Sequence, residues 1–165
     1  MAAEFWIDEA TEGDLPAITA LLNHTAATTT ASWHEYPKSD AEMVDWFDAR
    51  KRDFTVLAAR DASGFLGYAT YGPFRGPSGY RTTAEHSIYV REEVRGRGVG
   101  KALLVALIEK ARGQGLHVLI GGVDSDNALS IALHRKFGFT ETGRLPEAGR
   151  KFGRWLTLVF LQKQL

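Results

Sequence analysis

The sequence predicts an α/β protein, with α and β segments around one mixed sheet in the order β-α-α-β-β-β-α-β-α-β-β. Three observations carry that expectation. Two helix-period segments lie early in the chain, Leu15 to about Ala26 and from about Asp40 onward. A block of short apolar runs separated by turn residues follows, from Phe54 to Arg91, and reads as an antiparallel meander. Strand-like and helix-like runs then alternate from the glycine-rich segment at Arg95 onward, as βαβ crossovers do.

Each element has a local reason. Phe5 to Asp8 is a short first strand. Thr11-Glu12-Gly13-Asp14 supplies helix-start chemistry, and Pro16 is tolerated in a first turn. Leu15, Ile18, Leu21 and Leu22 recur at helical spacing, and the polar run Thr28 to Ser32 ends that helix before Trp33. In the second helix Met43, Trp46 and Phe47 share a face. Phe54 to Arg60 and Phe65 to Gly72 are strands joined by a turn at Asp61-Ala62-Ser63-Gly64, and Thr83 to Arg91 is a third beyond a Gly/Pro loop. Val99, Leu103, Ala106, Leu107 and Ala111 stripe a long helix that Gly113 to Gly115 ends. Leu116 to Val123 reads as a buried strand. Ser125 or Asp126 caps a helix from Asn127 to Phe137, and Phe139 to Gly143 and Trp155 to Gln162 supply the last strands.

The segment Arg95-Gly96-Arg97-Gly98-Val99-Gly100-Lys101 joins a strand to a helix. Its alternating glycines let the backbone turn tightly and approach a ligand without Cβ obstruction. A helix starting there adds unpaired N–H groups and a partial positive charge, which suits phosphate or pyrophosphate. A P-loop is excluded, because Gly100-Lys101 is followed by Ala102 and Arg95 stands at the upstream glycine position. A dinucleotide fingerprint is excluded as well, since Lys101 replaces its third glycine and the loop lies past the middle of the chain.

Composition narrows the remaining classes. At 165 residues the chain is expected to be one domain, 1–165. Lys+Arg and Asp+Glu both number 20, so the zero net charge argues against a nucleic-acid partner. Cysteine is absent, which rules out thiolate metal sites and a cysteine nucleophile, and the five histidines show no i,i+4 pair, so no metal is expected. No apolar run spans a bilayer, and Met1 to Glu9 lacks the blocks of a signal peptide; a soluble, cytoplasmic protein without a membrane partner is expected.

Arg95, Gly98 and Gly100 fit the pattern Arg/Gln-x-x-Gly-x-Gly/Ala, which resembles the acetyl-CoA pyrophosphate loop of the GCN5-related N-acetyltransferase (GNAT) superfamily. Leu133-His134-Arg135-Lys136-Phe137-Gly138-Phe139 is similar to that superfamily's Leu-Tyr-x-Lys-x-Gly-Phe segment, and the element order matches its architecture. More narrowly, Glu85-His86-Ser87-Ile88-Tyr89-Val90, Asn127-Ala128, Lys151-Phe152-Gly153-Arg154-Trp155-Leu156 and Thr29-Thr30-Ala31-Ser32-Trp33 resemble the phosphinothricin and methionine sulfoximine acetyltransferases. The likeness covers nearly the whole chain.

That resemblance implies acetyl-CoA as co-substrate. Arg95, Gly96 and the Arg97, Gly98, Val99, Gly100 and Lys101 backbone would hold its pyrophosphate. Ile88, Tyr89 and Val90 would pair with its pantetheine arm as an added strand, and Asn127 and Ser130 would bind it at the following helix. A helix cap is the alternative role for Asn127. Glu85 is the expected base, acting directly or through water, because a carboxylate in an apolar strand calls for a function or a partner; an ion pair with Arg81 or Arg75 is the alternative. His134 stands where many relatives carry a tyrosine acid, and imidazole could protonate the leaving thiolate or be structural.

For substrate, Phe74, Arg75, Gly76, Pro77 and Arg81 form a loop leading into the Glu85 strand, and arginine forks suit a carboxylate or another anionic head group. Trp33 and Phe74 could wall the pocket or belong to the core. His86 is expected to point away from Glu85 and pack, its backbone lining the substrate site beside Ser87. Ser78 and Thr157 depart from the acidic residues that the methionine sulfoximine enzymes often carry there. The expected reaction is acetyl transfer to the α-amine of a small amino-acid analogue in a ternary complex, by a homodimer such as these relatives form. A peptide, lysine or polyamine substrate and a silent acetyl-CoA sensor are the alternatives.

Overall fold

The computed structural model describes residues 4–165; Met1 to Ala3, part of the opening segment considered for leader features, lie outside the described residues. The elements are β1 (Phe5–Glu9), α1 (Leu15–Thr28), α2 (Asp40–Asp53), β2 (Thr55–Asp61), β3 (Gly64–Pro73), β4 (Thr83–Val90), α3 (Val99–Gly113), β5 (Val118–Asp124), α4 (Ala128–Lys136), β6 (Thr140–Lys151) and β7 (Arg154–Gln164). They form one seven-stranded sheet in the order β1-β2-β3-β4-β5-β7-β6. Among the described residues only the β4–β5 pair is parallel. The fold is the mixed α/β architecture that the sequence predicts.

Helix starts follow side-chain chemistry. The Asp14 carboxylate accepts from the Thr11 backbone N–H at 2.7 Å, ordering the turn into α1. Ser39 caps α2 reciprocally: its Oγ accepts from the Glu42 N–H, and Glu42 accepts from the Ser39 N–H at 2.8 Å. The cap of α4 is Asn127 itself, accepting from the Ser130 N–H at 3.1 Å, rather than Ser125 or Asp126. The largest departure is β6, which continues to Lys151 instead of stopping at Gly143. Register shifts between Glu141 and Gly143 and between Leu145 and Gly149 absorb the misfit, after which pairing resumes to Lys151–Arg154. Phe152 and Gly153 then close the hairpin with φ of 52° and 75°, as a two-residue loop of the favoured twist requires.

The sheet buries a different helix pair on each face. Leu103, Leu104 and Leu107 of α3 and Ile131 of α4 pack with Leu57, Ala69, Leu119 and Leu161. On the other face Ile18, Leu22, Met43 and Phe47 pack with Val56, Ala58 and Tyr68. Because strand side chains alternate, the two faces of β4 separate: His86, Ile88 and Val90 lie toward α3 and α4, and Glu85, Ser87 and Tyr89 toward α1 and α2. That alternation sets the site.

Candidate active site

β4 and β5 part company midway. Their register covers only Thr83 to His86 against Val118 to Gly121, although β4 continues to Val90 and β5 to Asp124. Beyond His86 the β5-side edge of β4 carries no strand, so the backbone from Ser87 to Val90 is free on that side for an extended ligand. The last paired residues, His86 and Gly121, mark the apex of the opening.

Glu85 lies at this apex on the α1/α2 face. A Cβ at Gly122 would lie 3.0 Å from its Oε1, so that glycine keeps room for the carboxylate. The residue is exposed, yet burial of the carboxyl end is the largest influence on it and raises its pKa; Arg50 and Arg75 oppose the rise. Glu85 forms no ion pair with Arg75 or Arg81 within 4.0 Å among the described residues. Arg81 instead donates to the Ser78 carbonyl at 3.3 Å, and Arg75 lies 5.1 Å from the Phe74 ring centre. Phe74 in turn packs on Phe160, which ties the loop carrying Gly76 and Pro77 to β7.

Opposite Glu85, His86 and His134 stack with ring centres 5.0 Å apart and Nε2 atoms 2.8 Å apart. A Cβ at Gly121 would come within 3.1 Å of His86 and 3.2 Å of His134, so the glycine admits both rings. His134 Nδ1 lies 2.7 Å from the Ser130 carbonyl, which can only accept, so Nδ1 carries the proton. The neutral His134 Nε2 is then the acceptor and His86 Nε2–H the donor. Burial depresses both residues, His86 to about 3, and holds them neutral at pH 7. His86 therefore does more than pack. The expectation of His134 as the thiolate's acid meets a buried ring whose two nitrogens are both engaged and whose Nε2, in this tautomer, carries no proton.

At the glycine loop, Gly96 and Gly98 have φ of 82° and 83°, left-handed values that other residues rarely adopt. The first intrahelical bond of α3 runs from Ala102 N to Gly98 O. The Val99, Gly100 and Lys101 amides have no acceptor among the described backbone groups. Arg97 departs from its expected part: its N–H meets the Val94 carbonyl at 3.4 Å, and its guanidinium pairs with Asp61 at 2.8 Å. Arg95 lines a cavity of about 120 Å³ with Val90, His24 and Thr25. Asn127 spends its Oδ1 on the α4 cap and keeps Nδ2 as a donor; Ser130 uses its backbone on Asn127 and His134. A larger cavity of about 440 Å³, between α1 and α2, holds none of these residues.

Several contributors carry no motif. Gly72 lies opposite Glu85 in the β3–β4 register, and a Cβ there would overlap the Arg50 guanidinium. The buried Lys151 amine donates to the Thr29 carbonyl at 2.8 Å and to that of Ser32, and burial lowers its pKa. Trp33 packs on Gly149, and Thr30 bonds to Asp124, so the α1–α2 loop is fastened to β5 and β6 beside the opening. Arg50 had one signal: it continues the Met43, Trp46, Phe47 stripe at helical spacing.

Residues 18–139 match the family model described as the acetyltransferase (GNAT) family. The chain belongs to the GNAT acetyltransferases. It is 51% identical over 161 residues to an L-methionine sulfoximine/L-methionine sulfone acetyltransferase of Pseudomonas paraeruginosa, covering 96% of this chain and 94% of that protein. A solved ribosomal-protein-alanine N-acetyltransferase from Brucella melitensis superposes with a TM-score of 0.95 at 48% identity, covering 97% of this chain and 99% of that one. A GNAT phosphinothricin acetyltransferase from Sinorhizobium meliloti, solved in complex with acetyl-CoA, gives 0.94 at 35% identity over 100% of this chain and 89% of that one. The parted strands and unfilled α3 amides of this GNAT chain fit an extended arm ending in a pyrophosphate.

Proposed function

We propose that this GNAT enzyme moves the acetyl group of acetyl-CoA onto the α-amine of a small amino-acid analogue by direct attack in a ternary complex. L-methionine sulfoximine, methionine sulfone and phosphinothricin are the leading substrates. The observation that carries the reading is the apex itself, where Glu85 stands beside the parted strands with Arg50 and Arg75 acting on it. The 51% identity to a methionine sulfoximine/sulfone enzyme supports the substrate class.

Bound acetyl-CoA supplies an acyl group already activated as a thioester. The Val99, Gly100 and Lys101 amides and the α3 dipole hold its pyrophosphate, the Ile88 to Val90 backbone lines its arm, and Asn127 Nδ2 donates to it. Glu85 takes the proton from the substrate ammonium, directly or through water. Partial burial makes its carboxylate a better base than a free one. Arg75 receives the carboxylate or other anionic head, with Arg81, Phe74 and Trp33 around it and the backbone of Ser87 and His86 beneath. The leaving thiolate is protonated from solvent, since His134 Nε2 is held by His86.

We also infer a cytoplasmic homodimer, 1–165 acting as a single domain. Phe152 and Trp155 remain more than half exposed at the β6–β7 hairpin, an apolar surface that a second copy would cover. Detoxification of a herbicide or antibiotic amino acid is the role this activity would serve.

The test is thiol release from acetyl-CoA with the three analogues, ordinary amino acids, spermidine and an alanine-initiated peptide. Turnover confined to the analogues, reduced at least about a hundredfold in Glu85→Gln, is expected for loss of a general base. Peptide turnover alone would move the assignment to the reaction named for the Brucella melitensis protein. Acetyl-CoA binding without turnover on any amine would leave a sensor.

A further inference from the structure

Arg50 is a cation on the wrong face of its helix. Met43, Trp46, Phe47 and Arg50 follow the i, i+3, i+4, i+7 spacing of an apolar stripe, and Met43 and Phe47 are buried. Arg50 completes the stripe by stacking, its guanidinium carbon 6.0 Å from the Trp46 and Phe54 ring centres. Its Nε is buried without a hydrogen-bond partner, and it has no ion pair within 4.0 Å among the described residues. A charge held this way is expensive unless another group compensates it.

The neighbours show which group. The guanidinium occupies the space left by the missing side chain of Gly72, and Gly72 is the register partner of Glu85 on the adjacent strand. Any larger residue at position 72 would evict it. The charged or titratable groups around that corner are Arg50 from α2, Arg75 from the loop after β3, Tyr68 from β3 and Tyr89 from β4. On the remaining sides β5 and β7 present Gly122 and Leu158, which carry no charge. Arg75 sits on an exposed loop, whereas Arg50 is fixed by two aromatic rings and a backbone niche.

We propose that Arg50, seated over Gly72, is the fixed counter-cation that keeps the Glu85 carboxylate ionised in the unliganded site. It is a positioning residue, acting on the substrate only through Glu85, and its catalytic consequence rests on Glu85 being the base. The niche also explains the glycine: position 72 is small so that a cation from α2 can reach across β3 toward β4.

The experiment follows the Glu85 side-chain carbon by 13C NMR through a pH titration, assigned by its loss in Glu85→Gln, alongside the pH dependence of kcat/KM. Arg50→Met is expected to raise the Glu85 midpoint by about one unit and to move the acid limb of kcat/KM with it. Below that limb activity falls roughly tenfold and recovers as the pH is raised, a pattern that loss of fold would not give. Arg50→Lys keeps the midpoint, and Gly72→Ala, which displaces the guanidinium without removing it, raises it; this variant asks the same question if Arg50→Met does not fold. An unchanged midpoint in Arg50→Met, or in Gly72→Ala in its stead, overturns the proposal. Full activity in Glu85→Gln would sink the base assignment instead, while the NMR midpoint would still judge Arg50.

Discussion

His86 and His134 make the fold acid-sensitive in a way that one substitution isolates. In the unfolded chain His86 titrates near 6.5, and in the folded protein burial, then the neighbouring His134, hold it down to about 3. The unfolded state therefore binds more protons between those values. The neutral pair's full contribution is present above about pH 6.5 and is lost as the pH falls toward 3. Each unit is worth about 1.4 kcal/mol, so at pH ~4.5, two units below 6.5, His86 alone has removed about 3 kcal/mol. That is a large share of a typical stability of roughly 5–15 kcal/mol. His134, lowered by burial too, adds in the same direction. In His86→Gln the amide Nε2 can still donate to His134 Nε2 but no longer titrates. Urea unfolding of both proteins at about pH 8 and pH 4.5 cancels the carboxylates they share. The native protein should lose about 3 kcal/mol more than His86→Gln between the two conditions. Equal losses would refute both the neutral pair and the hydrogen bond that defines its tautomers.

Three other substitutions probe the parts around the apex. Lys151→Met strands the Thr29 and Ser32 carbonyls, so it should cost about 2–4 kcal/mol in urea melts and raise KM for the amine more than for acetyl-CoA. Gly149→Ala places a Cβ 2.5 Å from the Trp33 ring, and the same KM split, with a red-shifted Trp emission, should report the displaced indole. Gly98→Ala meets open space but must hold φ at 83°, so calorimetry should show about 1 kcal/mol of strain and acetyl-CoA should bind several-fold more weakly.

Features governed by local chemistry were readable in the chain. Every helix and strand was foreseen because apolar spacing and glycine punctuation act over a few residues, and the turn into α3 because closely spaced glycines before a helix permit left-handed backbone. What escaped the sequence depends on partners far along the chain. Gly143 looked like a strand end because nothing local shows that β7 is long enough to carry β6 through two register shifts. The buried pairing of His134 was not readable because its hydrogen-bond partner, His86, is 48 residues away. The Arg97 guanidinium pairs with Asp61, 36 residues distant, a contact that nothing near it in the chain announces. Arg50 extends the Met43, Trp46 and Phe47 stripe at helical spacing, but nothing local shows Gly72 and Glu85 in register across two strands.

The site's charge argues for its substrate class more strongly than the whole chain's charge, which is zero. At the apex two guanidinium groups, Arg50 and Arg75, act on a single carboxylate, Glu85, with no other acidic group among those influencing it. A polyamine would bring several positive charges into a corner that is already net cationic, with one carboxylate to receive them. An amino-acid analogue divides its charges as the corner does: its ammonium would face Glu85, and its carboxylate or phosphinate would face Arg75. With Glu85 as the base, Arg75 would still hold the anionic end after deprotonation and keep the neutral amine from drifting away. On the proposed reading, orientation and deprotonation would be served by opposite charges at one corner, an arrangement that a silent sensor of acetyl-CoA would have no cause to keep.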